Sequence, residues 1–181
     1  MGLEKQNARR QFRLQDLGVL EAPPPRAVRA LVELCATAVG TPASALFVFD
    51  DTASELFLNT SVGLGQKPDK EIGLPLTGSL ASLVRSENHL MRINDLRTAP
   101  FDTSVEHMRF GIRSYIGAIV RGPADEPLGV LCAMHQRSHD WTFREAKQVE
   151  DMAYLMSQQI MLKASFATLR IMSAERKNAQ I

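Results

Sequence analysis

Apolar positions along this chain switch between helical spacing and short continuous runs, and the switches mark out its elements. Val28, Leu31, Val32, Cys35, Ala36 and Val39 share one helical face that stops at Gly40, with Pro25 suited to the first turn. Residues 45–49 form an apolar strand, Asp50-Asp51-Thr52 a turn, and residues 55–60 alternate as the hairpin partner. Three glycines and two prolines make residues 63–75 a loop holding one brief strand. Leu80, Leu83 and Val84 predict a short helix over 79–85, followed by a short strand over 90–93. Residues 97–111 read as an irregular connection with one helical turn near 105–109.

Residues 114–120 and 128–135 are rich in Ile, Val and small apolar side chains. They flank Gly122-Pro123-Ala124-Asp125-Glu126, which predicts an antiparallel hairpin. Thr142 and Glu145 have capping-box spacing, so a helix opens there, and no Pro or Gly interrupts residues 142–181. Leu155, Leu162 and Leu169 recur every seven residues, with Met152 and Phe166 three residues before two of them. That is a partial heptad seam, weakened by Gln159 and Ser173. At the other end, Leu3, Phe12, Leu14 and Leu17 among charges predict an amphipathic helix over 3–20, which Pro23-Pro24-Pro25 separates from the rest.

Composition narrows the function classes. A chain of 181 residues can bury roughly 70% of its unfolded surface, enough for one domain with extensions. The 21 basic and 20 acidic residues leave a net charge of +1, so no global field recruits nucleic acid or an acidic membrane. Two cysteines, Cys35 and Cys132, supply neither a disulfide framework nor zinc spacing. With no export signal and no apolar run long enough to span a bilayer, a cytoplasmic location is expected.

Arg113-Ser114-Tyr115-Ile116-Gly117 entering the hairpin, Gly129-Val130-Leu131 in its return strand and Trp141-Thr142 at the helix entrance together resemble the C-terminal half of a GAF domain. The likeness extends back through Leu90-Met91-Arg92-Ile93-Asn94-Asp95 to Leu17-Gly18-Val19-Leu20. It implies an α+β fold of GAF/PAS-like type: a central antiparallel sheet flanked by helices, with a long C-terminal helix. The expected division is an N-terminal helix and linker over 1–22, the GAF domain over 23–162 and a signalling or dimerisation helix over 163–181. The resemblance also implies a cavity enclosed by the middle helix and long loops, with Phe49, Thr77, Ser79, Asp95, His107, Arg113 and Tyr115 as ligand-binding candidates.

Each candidate has a second reading. Phe47 and Phe49 share a strand face and serve a core as well as a cavity wall. Thr77 and Ser79 flank Gly78 at a helix start whose N–H groups suit an anion or carbonyl, yet helix capping explains Ser79 equally well. Arg113 either pairs with Asp95 or clamps a ligand carboxylate or phosphate. On a strand Arg113 and Tyr115 face one side and Ser114 the other. His107 is placed to ligate haem iron, as in some GAF sensors, or is an exposed loop histidine. His135 and His139 are expected to face solvent.

Among GAF subclasses, Asn94-Asp95-Leu96 keeps only the asparagine of the cyclic-nucleotide pattern, and residues 95–111 lack the cysteine that attaches bilins. The free methionine sulfoxide reductase type depends on cysteines in that same segment. The expectation is therefore a non-catalytic sensory domain that binds a small molecule, with a haem-binding sensor and a small reductase as alternatives and no cofactor specified. A homodimer through the terminal helices and an output domain or partner protein outside this chain are the expected assemblies.

Overall fold

The computed structural model describes residues 25–50, 54–65, 73–98 and 104–178. The predicted helix over 3–20 and the Asp51-Thr52 part of the first turn lie outside these residues. Helix α1 (Arg26–Val39) buries Val28, Val32, Cys35, Ala36 and Val39 and ends at Gly40, whose φ of 64° lets its N–H reach the Ala36 and Thr37 carbonyls. Strands β1 (Ala43–Asp50) and β2 (Glu55–Val62) pair as the first hairpin, and β3 (Gly73–Pro75) is the brief strand of the following loop. Helix α2 (Leu80–Glu87) leads to β4 (Met91–Ile93), and helix α3 (Val105–Phe110) stands where the sequence predicts a single turn. Strands β5 (Ser114–Arg121) and β6 (Pro127–His135) form the second hairpin before helix α4 (Phe143–Asn178).

These strands make one antiparallel sheet in the order β3-β2-β1-β6-β5-β4. The central strands β1 and β6 are buried on both faces, so alternate side chains enter separate cores. Leu46, Val48, Ile116, Ala118, Leu131 and Ala133 meet α1 and α4 on one face. Phe47, Phe49, Tyr115, Val130, Cys132 and Met134 meet α2 and the segment around Ile112 on the other, called the closed face below. Strand β1 passes so near Gly129 that a Cβ there would lie 2.1 Å from the Phe47 carbonyl oxygen. Only glycine fits that crossing.

The start of α4 is anchored by several bonds at once. Thr142 Oγ1 accepts the Glu145 N–H at 3.2 Å, and a Glu145 carboxylate oxygen accepts the Thr142 N–H at 2.7 Å, which completes the expected capping box. Trp141 is buried, its indole N–H donating to the Ile93 carbonyl at 3.1 Å while its backbone N–H reaches Asn94 Oδ1 at 3.3 Å. The histidines near this joint depart from expectation. His135 and His139 are half-buried, with rings stacked 6.3 Å apart. His139 also bonds Glu145 at 2.8 Å and meets Trp141 edge-on at 4.5 Å. The Trp141 ring and the Glu145 carboxylate draw His139 out of solvent, while His135 stacks on His139 and accepts the Arg137 N–H at Nδ1.

Helix α4 runs 36 residues, about 54 Å at the usual rise per residue. Val149, Ala153, Met156 and Ile160 pack on the sheet. At about 100° per residue, Leu155, Leu162, Phe166 and Leu169 lie within roughly 60° of one another on the far side. They stand 45%, 51%, 59% and 60% exposed.

Candidate functional site

The closed face places most of the predicted residues in one region but gives them different tasks. Ser79 is fully buried and caps α2, accepting the Ser82 N–H at 3.0 Å and donating to the Leu76 carbonyl at 2.8 Å. Thr77 beside it is exposed. The two N–H groups that the sequence offers to a ligand anion have an internal acceptor: Glu106 from α3 takes the Leu80 N–H at 2.8 Å and the Ala81 N–H at 3.1 Å, one on each carboxylate oxygen. Glu106 is completely buried. Burial raises its pKa, against the lowering effect of the N–H bonds from Leu80 and Ala81.

Glu106 is the residue that sequence reasoning missed. One signal was present. Helix α2 carries no acidic residue in its own first turn, so its dipole and free N–H groups call for a carboxylate from another element.

Asp95 and Arg113 meet at the margin of this face. The Arg113 Nε lies 3.0 Å from both Asp95 oxygens and Nη2 lies 2.5 Å from Oδ2, which is the structural pairing of the two alternatives. The Arg113 hydrogen bond pulls the Asp95 carboxyl down to about 2. Leu96 N–H donates to the Arg113 carbonyl at 2.8 Å, so backbone and side chain tie the two segments together.

His107 is half-buried on α3 rather than an exposed loop residue, because its Nδ1 is bonded to the Ile112 carbonyl. That bond makes Nδ1 the protonated nitrogen and leaves Nε2 as the one able to ligate iron. Among the described residues no group of three or more His, Cys, Asp or Glu could hold a metal ion.

Phe49 and Tyr115 lie deep in the closed face, 2% and 0% exposed. The Arg85 guanidinium stands 4.9 Å from the centre of the Phe49 ring, and Phe47 packs on Phe110 with centroids 6.2 Å apart. Tyr115 folds along its own strand over Gly117, where a Cβ would sit 2.5 Å from the phenol oxygen. Gly117 pairs with Cys132 on β6, which brings the hydroxyl beside that thiol. The thiol is directed at the Ala45 carbonyl, 3.5 Å away, and bonds the Tyr115 hydroxyl weakly at best, so that hydroxyl has no well-formed hydrogen bond among the described residues. Burial drives the Tyr115 pKa well above its usual value, with the Cys132 thiol and then the charge of Glu106 adding to the effect. Burial likewise holds the Cys132 thiol well above the ordinary range and moves Cys35 up to about 11. The result is a carboxylate, a phenol and a thiol gathered within an apolar layer.

The strand order, the helix pair on one face and the closed polar spot on the other define an α+β domain of GAF/PAS-like type. Residues 23–160 match the family model of the GAF domain, and the chain belongs to that family. Solved structures share the fold at low identity. The GAF domain of a phosphoenolpyruvate-protein phosphotransferase from Coxiella burnetii is 21% identical with a TM-score of 0.64, the match covering 91% of this chain and 94% of that one. Free methionine-R-sulfoxide reductase from Neisseria meningitidis, solved with its substrate, is 17% identical with a TM-score of 0.61, over 87% and 90% of the two chains. The GAF domain of a two-component sensor histidine kinase from Bacillus halodurans is 14% identical with a TM-score of 0.59, over 72% and 88%. No curated protein matches the sequence. No helix among the described residues is long and apolar enough to cross a membrane.

Proposed function

We propose that this chain is a non-catalytic sensory GAF domain that binds a small molecule on its closed face and acts on a signalling output through α4. The observation that carries the reading is the Tyr115 hydroxyl, fully buried and without a well-formed hydrogen bond among the described residues, with only the weakly bonding Cys132 thiol set against it. Leaving such a group unpaired costs about 1–3 kcal/mol, which a ligand able to bond it recovers. Ser79, Asp95, His107 and Arg113 belong to the segments that border the same face, so a ligand there acts on how those segments sit. Helix α4 is joined to them through Asn94 and Trp141. Its exposed Leu155–Leu169 stripe suits a second copy of the chain in a parallel homodimer, the arrangement best able to pass a small rotation onward.

Thiol chemistry is disfavoured by burial. Reduction of a sulfoxide needs an accessible thiolate, whereas both cysteines here are buried with raised pKa values. Haem is the second reading, favoured by the His107 tautomer that frees Nε2.

The test is a thermal-shift screen of metabolites and nucleotides against the wild type and Tyr115→Phe. A ligand that raises the wild-type melting temperature and loses most of its effect in Tyr115→Phe supports the reading. Hits indifferent to that substitution refute the site, and methionine sulfoxide turnover abolished by Cys132→Ser refutes the lack of catalysis.

A further inference from the structure

A cavity of about 500 Å³ opens on the other face of the sheet, between α4, the end of β5 and the turn joining α2 to β4. Small side chains make the space. Ala153 on α4 and Ala118 on β5 both line it, where neighbouring turns and strand positions carry Met156, Val149 and Ile116. Leu90 and Met161 complete an apolar floor.

The rim decides what charge such a space would take. Arg121 is occupied by protein: Nη2 donates to Asn88 Oδ1 at 2.8 Å, Nη1 donates to the Asp125 carbonyl at 3.1 Å, and Nε lies 3.6 Å from the Asp125 carboxylate. Glu150 has no such engagement. Its carboxylate makes no hydrogen bond or ion pair with a described residue and acts only at a distance on Lys147, whose ammonium is bonded to Asp151. Tyr154 follows Glu150 by one helical turn on the same side of α4, with 63% of its surface open. Asp125 and Arg121 thus offset one another in the lining, leaving the Glu150 carboxylate without a hydrogen bond or ion pair to a described residue and the Tyr154 ring one helical turn along from it. An adjoining cavity shares His89, Leu90 and Glu150 but contains Lys147 and Arg92, which repel a cation from that side.

The geometry points to a second ligand site, specific for an organic cation with an apolar body, such as an arylalkyl or alkyl amine. The ammonium pairs with Glu150 and lies against the Tyr154 ring, while the hydrocarbon part occupies the floor between Ala118, Ala153 and Met161. An amine seated there touches α4 and the sheet together and pins the helix that leaves the domain. The site is independent of the ligand proposed for the closed face.

Calorimetric titration with phenethylamine, phenylacetate and 2-phenylethanol tests it. Phenethylamine should bind in the millimolar range or tighter, at least about tenfold more tightly than the anion or the alcohol. Glu150→Gln and Tyr154→Ala should each weaken it several-fold, about two- to fivefold, with far-ultraviolet circular dichroism unchanged because both positions are exposed. Tyr115→Phe should leave it unaffected. Absence of millimolar amine binding, equal binding of phenylacetate, undiminished affinity in Glu150→Gln, or sensitivity to Tyr115→Phe would each overturn the assignment, the last by placing the amine on the closed face.

Discussion

Replacing Tyr115 by Phe removes one oxygen from a fully buried ring and nothing else, so it asks directly whether that oxygen is unsatisfied in the ligand-free protein. A buried hydroxyl without a partner costs about 1–3 kcal/mol of desolvation that the unfolded chain does not suffer. Deleting it also leaves a small void and forfeits some dispersion, which offsets part of the gain. The net expectation is a stabilisation of about 1 kcal/mol, equivalent to a rise of roughly 2–4 °C in melting temperature for a domain of this size. Urea unfolding followed by circular dichroism at pH 7 measures it, and the phenol remains neutral there because its pKa is raised well above the usual value. The slope of free energy against urea should be unchanged, since the substitution exposes no new surface on unfolding. A loss of about 1 kcal/mol or more would refute the reasoning, because it would mean that the hydroxyl already has a partner in solution.

Glu106→Ala strands the Leu80 and Ala81 N–H groups in the core, and urea unfolding should register a loss of roughly 2–4 kcal/mol; a loss below about 1 kcal/mol would mean that water replaces the carboxylate freely. Asp95 titrates at about 2 in the folded protein against about 3.9 unfolded, so its contribution is complete above pH about 4 and disappears as pH falls through about 2. Asp95→Asn should flatten the stability profile in that window alone, and a profile parallel to wild type would contradict the pairing. Light scattering at micromolar concentration should give a dimer mass that falls to monomer in Leu162→Glu/Leu169→Glu; a wild-type monomer would exclude the helical dimer. If haem is the cofactor, reconstitution should give a Soret band that His107→Ala abolishes, and a colourless protein closes that option.

The secondary structure was legible because local rules and burial agree. Gly40 stops α1, Thr142 and Glu145 open α4, and alternating or continuous apolar runs outline both hairpins, with boundaries shifted by a residue or two. The length of α3 was less legible. Its helix depends on Ser104 capping the His107 N–H and Gly111 closing the end, in a segment with too few residues to set a period.

The site was harder because its relations are long-range. Asp95 and Arg113 could be weighed as a pair, since both were already candidates on bordering segments. Glu106 reads in sequence like any helix carboxylate, and its burial follows only once α3 is set against the first turn of α2. The orphan status of the Tyr115 hydroxyl likewise depends on where Cys132 directs its thiol across the sheet.

Trp141 is the single tryptophan of the chain, and it sits between the β4 carbonyl of Ile93, the imidazole of His139 and the first turn of α4. The protein thus carries its own fluorophore at the joint between sheet and departing helix, with no other indole to obscure the signal. At constant pH, a change in emission on ligand addition would report that α4 has shifted against β4, without any label.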